Sequence, residues 1–333
     1  MARETVYFDK QPKITAVSTI AGQKEKSGPI SEFIDEFMDD DRFNEDTFEK
    51  AECKMLSHII GKVVEKKNLP LGEVDALIAG DLLNQIISSS FAARNYSFPY
   101  IGVYSACSTM SESMIIGSLL LNGGHMENVI CATGSHFSTA ERQYRYPLEL
   151  GSTRPPQSQW TVTGAGACLL SNNEEDIDYP KIVSATFGKV IDYGVTDANN
   201  MGAAMAPACA DTIVTHLKNT KTKPTDYNLI VTGDLGVLGS RIVKDLVWEK
   251  GYDMNSNHVD CGEMIYNICE EEFQGGSGAG CSAVVFNSFF YKKLLQKRYD
   301  RILFLATGAL LSSVSSQQGE SIPCISHAVE IKR

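Results

Sequence analysis

The amino-acid sequence predicts an α/β fold made of a duplicated unit, and three observations predict it. Short apolar runs alternate with helical segments along the chain. Two of those runs end in the same tripeptide, Gly80-Asp81-Leu82 and Gly233-Asp234-Leu235. Cys107 in SACST and Cys281 in GAGCSA are each followed, 25 residues on, by Ala-Thr-Gly, at Ala132-Thr133-Gly134 and Ala306-Thr307-Gly308. Landmarks in one order with one repeated spacing are what a repeated structural unit leaves in a sequence.

In chain order, residues 31–52 come first, with ten acidic and two basic side chains. They read as a solvated, partly helical surface segment, or as a docking or cation-binding face. Phe48, Ala51, Met55, Ile59 and Val63 then recur every three or four residues, the stripe of an amphipathic helix with His58 beside it. Asn68-Leu69-Pro70 ends that helix. The runs 75–79, 128–132, 228–232 and 301–306 read as buried strands, and 108–121 and 239–250 as helices between them.

Composition narrows the function. The 333 residues are 43% apolar and 21% charged, an ordinary globular mix, with a formal charge of −11. So acidic a chain, without a basic run, does not suit nucleic acid. No 18-residue apolar run is present, the N-terminal residues lack the pattern of a signal peptide, and nine cysteines suit free thiols in a reducing compartment. The pair Cys261 and Cys269 fits no zinc-ligand spacing.

The chemistry concentrates at two elbows. Cys107 stands where a strand ending near Ser105 turns into a helix beginning near Ser108. A helix N-terminus lowers a thiol pKa and aims N–H groups at an anion, so Cys107 reads as a nucleophile or pocket thiol. It reads equally as a small residue that fits a tight turn. The second elbow, residues 274–286, carries Ser277 and Cys281 among glycines and opens a helix with Val284, Val285, Phe289 and Leu294. If the two halves are related by pseudo-symmetry, the two helix N-termini converge and favour an anionic ligand.

The duplicated strand–elbow–helix–strand pattern resembles the thiolase and ketoacyl-synthase superfamily. GVYSACST (102–109) is similar to its nucleophile elbow, and TVTGAGACLLS (161–171) to its Gly-rich strand. The closer resemblance is to the stage V sporulation protein AD family. It is carried by AGDLLNQ (79–85), ACST-MSES (106–113), TAERQYRYP (139–147), TDANNMGAAMAPACADT (196–212), DCGEMIY (260–266), ATGALLS (306–312) and ESIPCISHAV (320–329). The resemblance implies a layered αβαβα fold with halves at 1–175 and 176–333. It implies binding of dipicolinic acid (pyridine-2,6-dicarboxylate), free or as its calcium chelate, for uptake into the developing spore. It also implies a homodimer and a peripheral place at the spore inner membrane beside other stage V sporulation A membrane proteins.

Condensing enzymes of the superfamily surround the cysteine with two histidines, or a histidine and an asparagine. Here the corresponding places hold Gly233-Asp234-Leu235 and Phe273-Gln274-Gly275-Gly276, without histidine. Asp234 cannot act as an oxyanion donor unless its pKa is strongly raised. Cys324-Ile325-Ser326-His327 only faintly resembles the thiolase C-terminal cysteine segment. The expectation is therefore a binding pocket rather than an enzyme. The alternatives are a degenerate acyl-transfer enzyme that uses Cys107 and a scaffold of the uptake complex that docks through the acidic segment.

The expected ligand groups are Cys107, Ser277 and Cys281 at the elbows and His136 after the Ala132-Thr133-Gly134 strand end. Arg142 or Arg145 offers a guanidinium fork for a carboxylate, or orders its loop by pairing with Glu141 or Glu149. Tyr144 and Tyr146 serve equally at a dimer interface. Asp81 and Asp234 are offered to a ligand-borne calcium, or cap turns. No cofactor of the protein's own is expected.

Overall fold

The computed structural model describes residues 4–145, 153–173, 178–268 and 273–333. Tyr146, Glu149 and Cys269 lie outside them.

Among the described residues ten strands form the main path of the large central sheet. In the first half these are β1 (Lys13–Ala21), β2 (Ala76–Gly80), β3 (Tyr100–Gly102), β4 (Asn128–Ser135) and β5 (Gly164–Ser171). In the second they are β6 (Lys181–Thr186), β7 (Leu229–Thr232), β8 (His258–Asp260), β9 (Arg301–Ala309) and β10 (Cys324–Lys332). The first five lie in the order β3-β2-β4-β5-β1 and the second five in the order β8-β7-β9-β10-β6. In each set the first three strands run parallel and the last two join antiparallel. The repeated landmarks of the sequence are thus two copies of one sheet, which meet at the Lys13–Lys181 pairing between β1 and β6.

Parallel strands covered on both faces must be apolar throughout, and ALIAG in β2 is buried at every residue. Two helices fill the space between the sheets, α3 (Thr109–Asn122) and α7 (Ala279–Val285). Every residue of α7 is buried, as a helix enclosed on all sides requires. It continues through a π-helical turn at Phe286–Phe290 to Leu295. Met110 and Met114 of α3 share one core with Val284, Phe286 and Phe290, and Phe286 stacks on Phe304 of β9 at 4.6 Å.

Outside the first sheet lie α1 (Phe48–Lys67) and α2 (Ile87–Ala93), and outside the second α5 (Met201–Thr220) and α6 (Gly236–Glu249). A short α4 (Phe137–Tyr144) follows β4. The layers therefore run helix, sheet, helix, sheet, helix. The expected stripe of α1 is the face it buries, with Ala51, Met55, Ile59 and Val63 fully enclosed. Thr47 caps its start through Lys50 N–H at 3.3 Å, and Asn68 closes it in the left-handed conformation.

The acidic segment differs from a merely solvated stretch. Ile34, Met38 and Glu52 are buried in it. Asp35 accepts from Thr19 N–H at 3.0 Å and pairs with Lys66 at 2.7 Å and Lys292 at 3.2 Å. Those partners lie far away in sequence, so charge counting within the segment does not reveal them. Among the described residues no helix is long and apolar enough to cross a membrane.

Candidate functional site

The two elbows meet. Ala106 leads into α3 with φ +48°, a left-handed residue that turns the chain sharply out of the loop after β3. Cys107 follows in a single 3-10 turn and is 6% exposed. Opposite it, Gly278 adopts φ +97°, which only glycine takes comfortably, and opens α7. Gly308 at the end of β9 passes so close that a Cβ there would stand 2.1 Å from Ser105 O.

Between the elbows lies a narrow cavity of about 30 Å³. Its apolar wall comes from Leu82, Ala140, Met201 and Leu311 with the rings of Tyr104 and Tyr144. Cys107, Arg145, Thr161 and Ser277 supply its polar atoms. Tyr104, Tyr144 and Leu311 also border an outer cleft of about 470 Å³, so these three side chains partition the two spaces.

Asp234 lies beneath Cys107. It is fully buried, accepts from Gly278 N–H at 3.2 Å, and is hydrogen-bonded to the Cys107 thiol. Burial pushes its carboxyl well above the usual range, and nearby Asp260 pushes the same way, which favours the protonated form. Burial and then Asp234 push the Cys107 thiol well above its ordinary value. The thiol therefore keeps its proton at neutral pH. Asp260 is raised by burial to about 6 and accepts from Leu235, Gly236 and Gly262 N–H groups at 3.0, 2.9 and 2.9 Å and from the Thr232 hydroxyl at 2.6 Å. The sequence reading did not single Asp260 out.

The other expected residues separate. Ser277 lines the cavity, whereas Cys281 is buried in α7 with its thiol toward Gly233 O at 3.5 Å. His136 turns away from the cavity and caps α4, where Nδ1 accepts from Ser138 N–H at 3.1 Å and Nε2 donates to Asp41 O at 2.6 Å. Burial lowers its pKa, so it is a neutral structural imidazole. Asp81 lies off the cavity wall as a turn residue. Its oxygens accept from Leu83 N–H at 2.9 Å and from the N–H and hydroxyl of Ser89 at 2.7 and 2.8 Å, which leaves little for a cation. Arg142 points outward to an ion pair with Glu49.

Arg145, three residues on, is the guanidinium at the cavity. Its side chain is 3% exposed and pairs with Glu141 one helical turn earlier. That Glu-x-x-x-Arg spacing is the signal in TAERQYR that distinguishes it from Arg142. Among the described residues no histidine lines the cavity. His327 stands behind the elbow, with Nε2 3.5 Å from the Ser105 hydroxyl, and burial lowers it to about 4.

Comparison with known proteins follows this geometry. A family model described as stage V sporulation protein AD matches residues 2–332. Stage V sporulation protein AD of Bacillus subtilis (strain 168) is 43% identical over 331 residues, 99% of this chain and 97% of that protein. Among solved structures, a form of Xanthomonas campestris OleA superposes with a TM-score of 0.63 at 13% identity, over 98% of this chain and 100% of that one. The 3-oxoacyl-(acyl-carrier-protein) synthase III of Aquifex aeolicus VF5 gives 0.56 at 13% identity, over 97% and 100%. At such identities the structural likeness is one of fold, and the fold is thiolase-like.

Proposed function

The chain belongs to the stage V sporulation protein AD family, and from that membership we propose that it binds dipicolinic acid and does not condense acyl groups. The observation that carries this reading is the state of Cys107. It occupies a nucleophile's position, yet the thiol is held protonated in a buried setting, and among the described residues no imidazole lines the cavity. A condensing enzyme needs a thiolate and a base that forms it.

A flat aromatic ring suits an apolar slot, and its carboxylates suit a guanidinium and hydroxyl or N–H donors. Arg145 and Ser277 are groups of those kinds on the wall, whereas the Thr161 hydroxyl and Gly278 N–H are already given to Glu141 and Asp234. The cavity is smaller than the roughly 150 Å³ that encloses a benzene ring. Binding therefore requires Tyr104, Tyr144 or Leu311 to swing and join the cavity to the outer cleft. The ligand arrives free or as its calcium chelate. Burial disfavours the charged form of Asp234 and so weakens it as a calcium ligand, and the ligand's own oxygens would carry the ion.

In this reading the protein serves dipicolinate uptake into the developing spore, at the periphery of the inner membrane beside other stage V sporulation A proteins. It works as a homodimer. The edge strand β3 with exposed Ile87, Phe91 and Tyr104 nearby offers the face for a second copy, and sedimentation of the purified chain would show a mass twice 36.4 kDa.

One observation favours acyl transfer as a second reading. In its protonated form, which burial favours, Asp234 is able to donate to an oxyanion beside Cys107, as the donor half of a condensing site would. Incubation with acyl-coenzyme A thioesters, followed by intact-mass measurement, separates the readings. Binding alone predicts an unmodified chain, no released coenzyme A, and retention of dipicolinate in equilibrium dialysis. An acyl group on Cys107 would overturn it.

A further inference from the structure

Arg145 belongs to a charge cluster that does not balance. Glu141 is 2% exposed and takes Arg145 Nη1 and the Thr161 hydroxyl on Oε1. Its Oε2 faces Arg154 Nη1 at 3.3 Å, an ion-pair distance without hydrogen-bond geometry. Arg154, 15% exposed, stacks over Trp160 with its guanidinium carbon 5.0 Å from the ring centre. Two guanidinium groups thus share one enclosed carboxylate and leave an excess positive charge at the cavity wall.

Among the described residues no side chain on the cavity side fully cancels it. The Cys107 thiol holds its proton, and burial disfavours the charged form of Asp234. Asp197 feels Arg145 but is exposed and already bonded to Gln157 and Asn199. Arg145 Nε is buried without an acceptor among the described residues, and Nη2 meets the Met201 sulfur at 3.6 Å. A buried cation lacking a full set of acceptors is costly, and an entering anion would relieve that cost.

We propose that Arg145 is the residue that recognises a carboxylate in this cavity, with Glu141 as the positioning residue that fixes the guanidinium facing it. The site then selects flat carboxylates over uncharged molecules of the same shape. The proposal rests on the reading that the cavity binds dipicolinate. It adds which residue reads the charge.

The test is calorimetric titration of the full chain and of Arg145→Met and Glu141→Gln with dipicolinate, pyridine-2-carboxylate and the uncharged pyridine-2,6-dicarboxamide. The native protein prefers dipicolinate over the dicarboxamide by roughly 10- to 100-fold, the value of a charge-assisted pair. Arg145→Met abolishes that preference by weakening dipicolinate alone. Glu141→Gln weakens dipicolinate severalfold but keeps the preference, which general structural damage would not do. If Arg145→Met fails to melt cooperatively, Arg145→Gln is judged by the same ratio. A folded Arg145 variant that retains the native preference overturns the proposal while the binding function stands. If the native chain binds neither dipicolinate nor its analogues, the proposed function itself fails.

Discussion

Cys107 combines a nucleophile's place with a core thiol's protonation. Each unit of upward pKa shift cuts the thiolate fraction about tenfold, and the shift at Cys107 is large. Iodoacetamide at pH 7.5, followed by peptide mapping, should therefore label Cys107 at least roughly tenfold more slowly in the native chain than in the unfolded one. Equal rates would show a reactive thiolate and contradict the account. At this scale the sequence was partly legible. The elbow could be read directly, because position along the chain sets it. Which arginine faces inward could not be read from spacing to the cysteine, because α4 buries Glu141 and Ala140 and carries Arg142 out to Glu49. His136 and Asp81 shared one obstacle. Capping and turn roles use the same residue types as ligand binding, and only the observed partners distinguish them.

Among the elements, the strands and helices with strong apolar patterns are the legible part. The helix read at 108–121 is Thr109–Asn122, and the run at 75–79 is Ala76–Gly80. The ties between elements were hidden. Glu25, in a short helix after β1, accepts from Thr163 N–H at 3.0 Å and from the hydroxyl of Tyr266 in the second half. Burial raises it to about 7 from 4.5. The folded state thus holds a proton that the unfolded chain releases. The resulting stability is fully present below about pH 4.5 and is lost as pH rises through about 7. The lost amount is roughly 3 kcal/mol at 1.36 kcal/mol per unit. Glu25→Gln keeps an acceptor for both donors and removes the ionisation. Thermal melts from pH 5 to pH 8 should show a smaller fall for the variant than for the native chain. Parallel curves would remove Glu25 from the explanation.

For the whole molecule, duplication explains where the site lies. Two copies of one sheet face each other across α3 and α7, and the cavity forms where the copies bring their elbows together. Repeated tripeptides and spacings made that architecture readable, since each copy keeps its own landmarks. The cavity's small volume and its aromatic partition were not readable, because side chains from the elbow before α3, from α4, α5 and the loop after β9 close it jointly. The most direct test of the central claim is calorimetric titration with dipicolinate, with and without equimolar calcium, beside Cys107→Trp. An indole at position 107 would fill a cavity of about 30 Å³. The account predicts saturable binding to the native chain and none to the folded tryptophan variant. Binding that survives the tryptophan, or no heat from folded native protein, would contradict it.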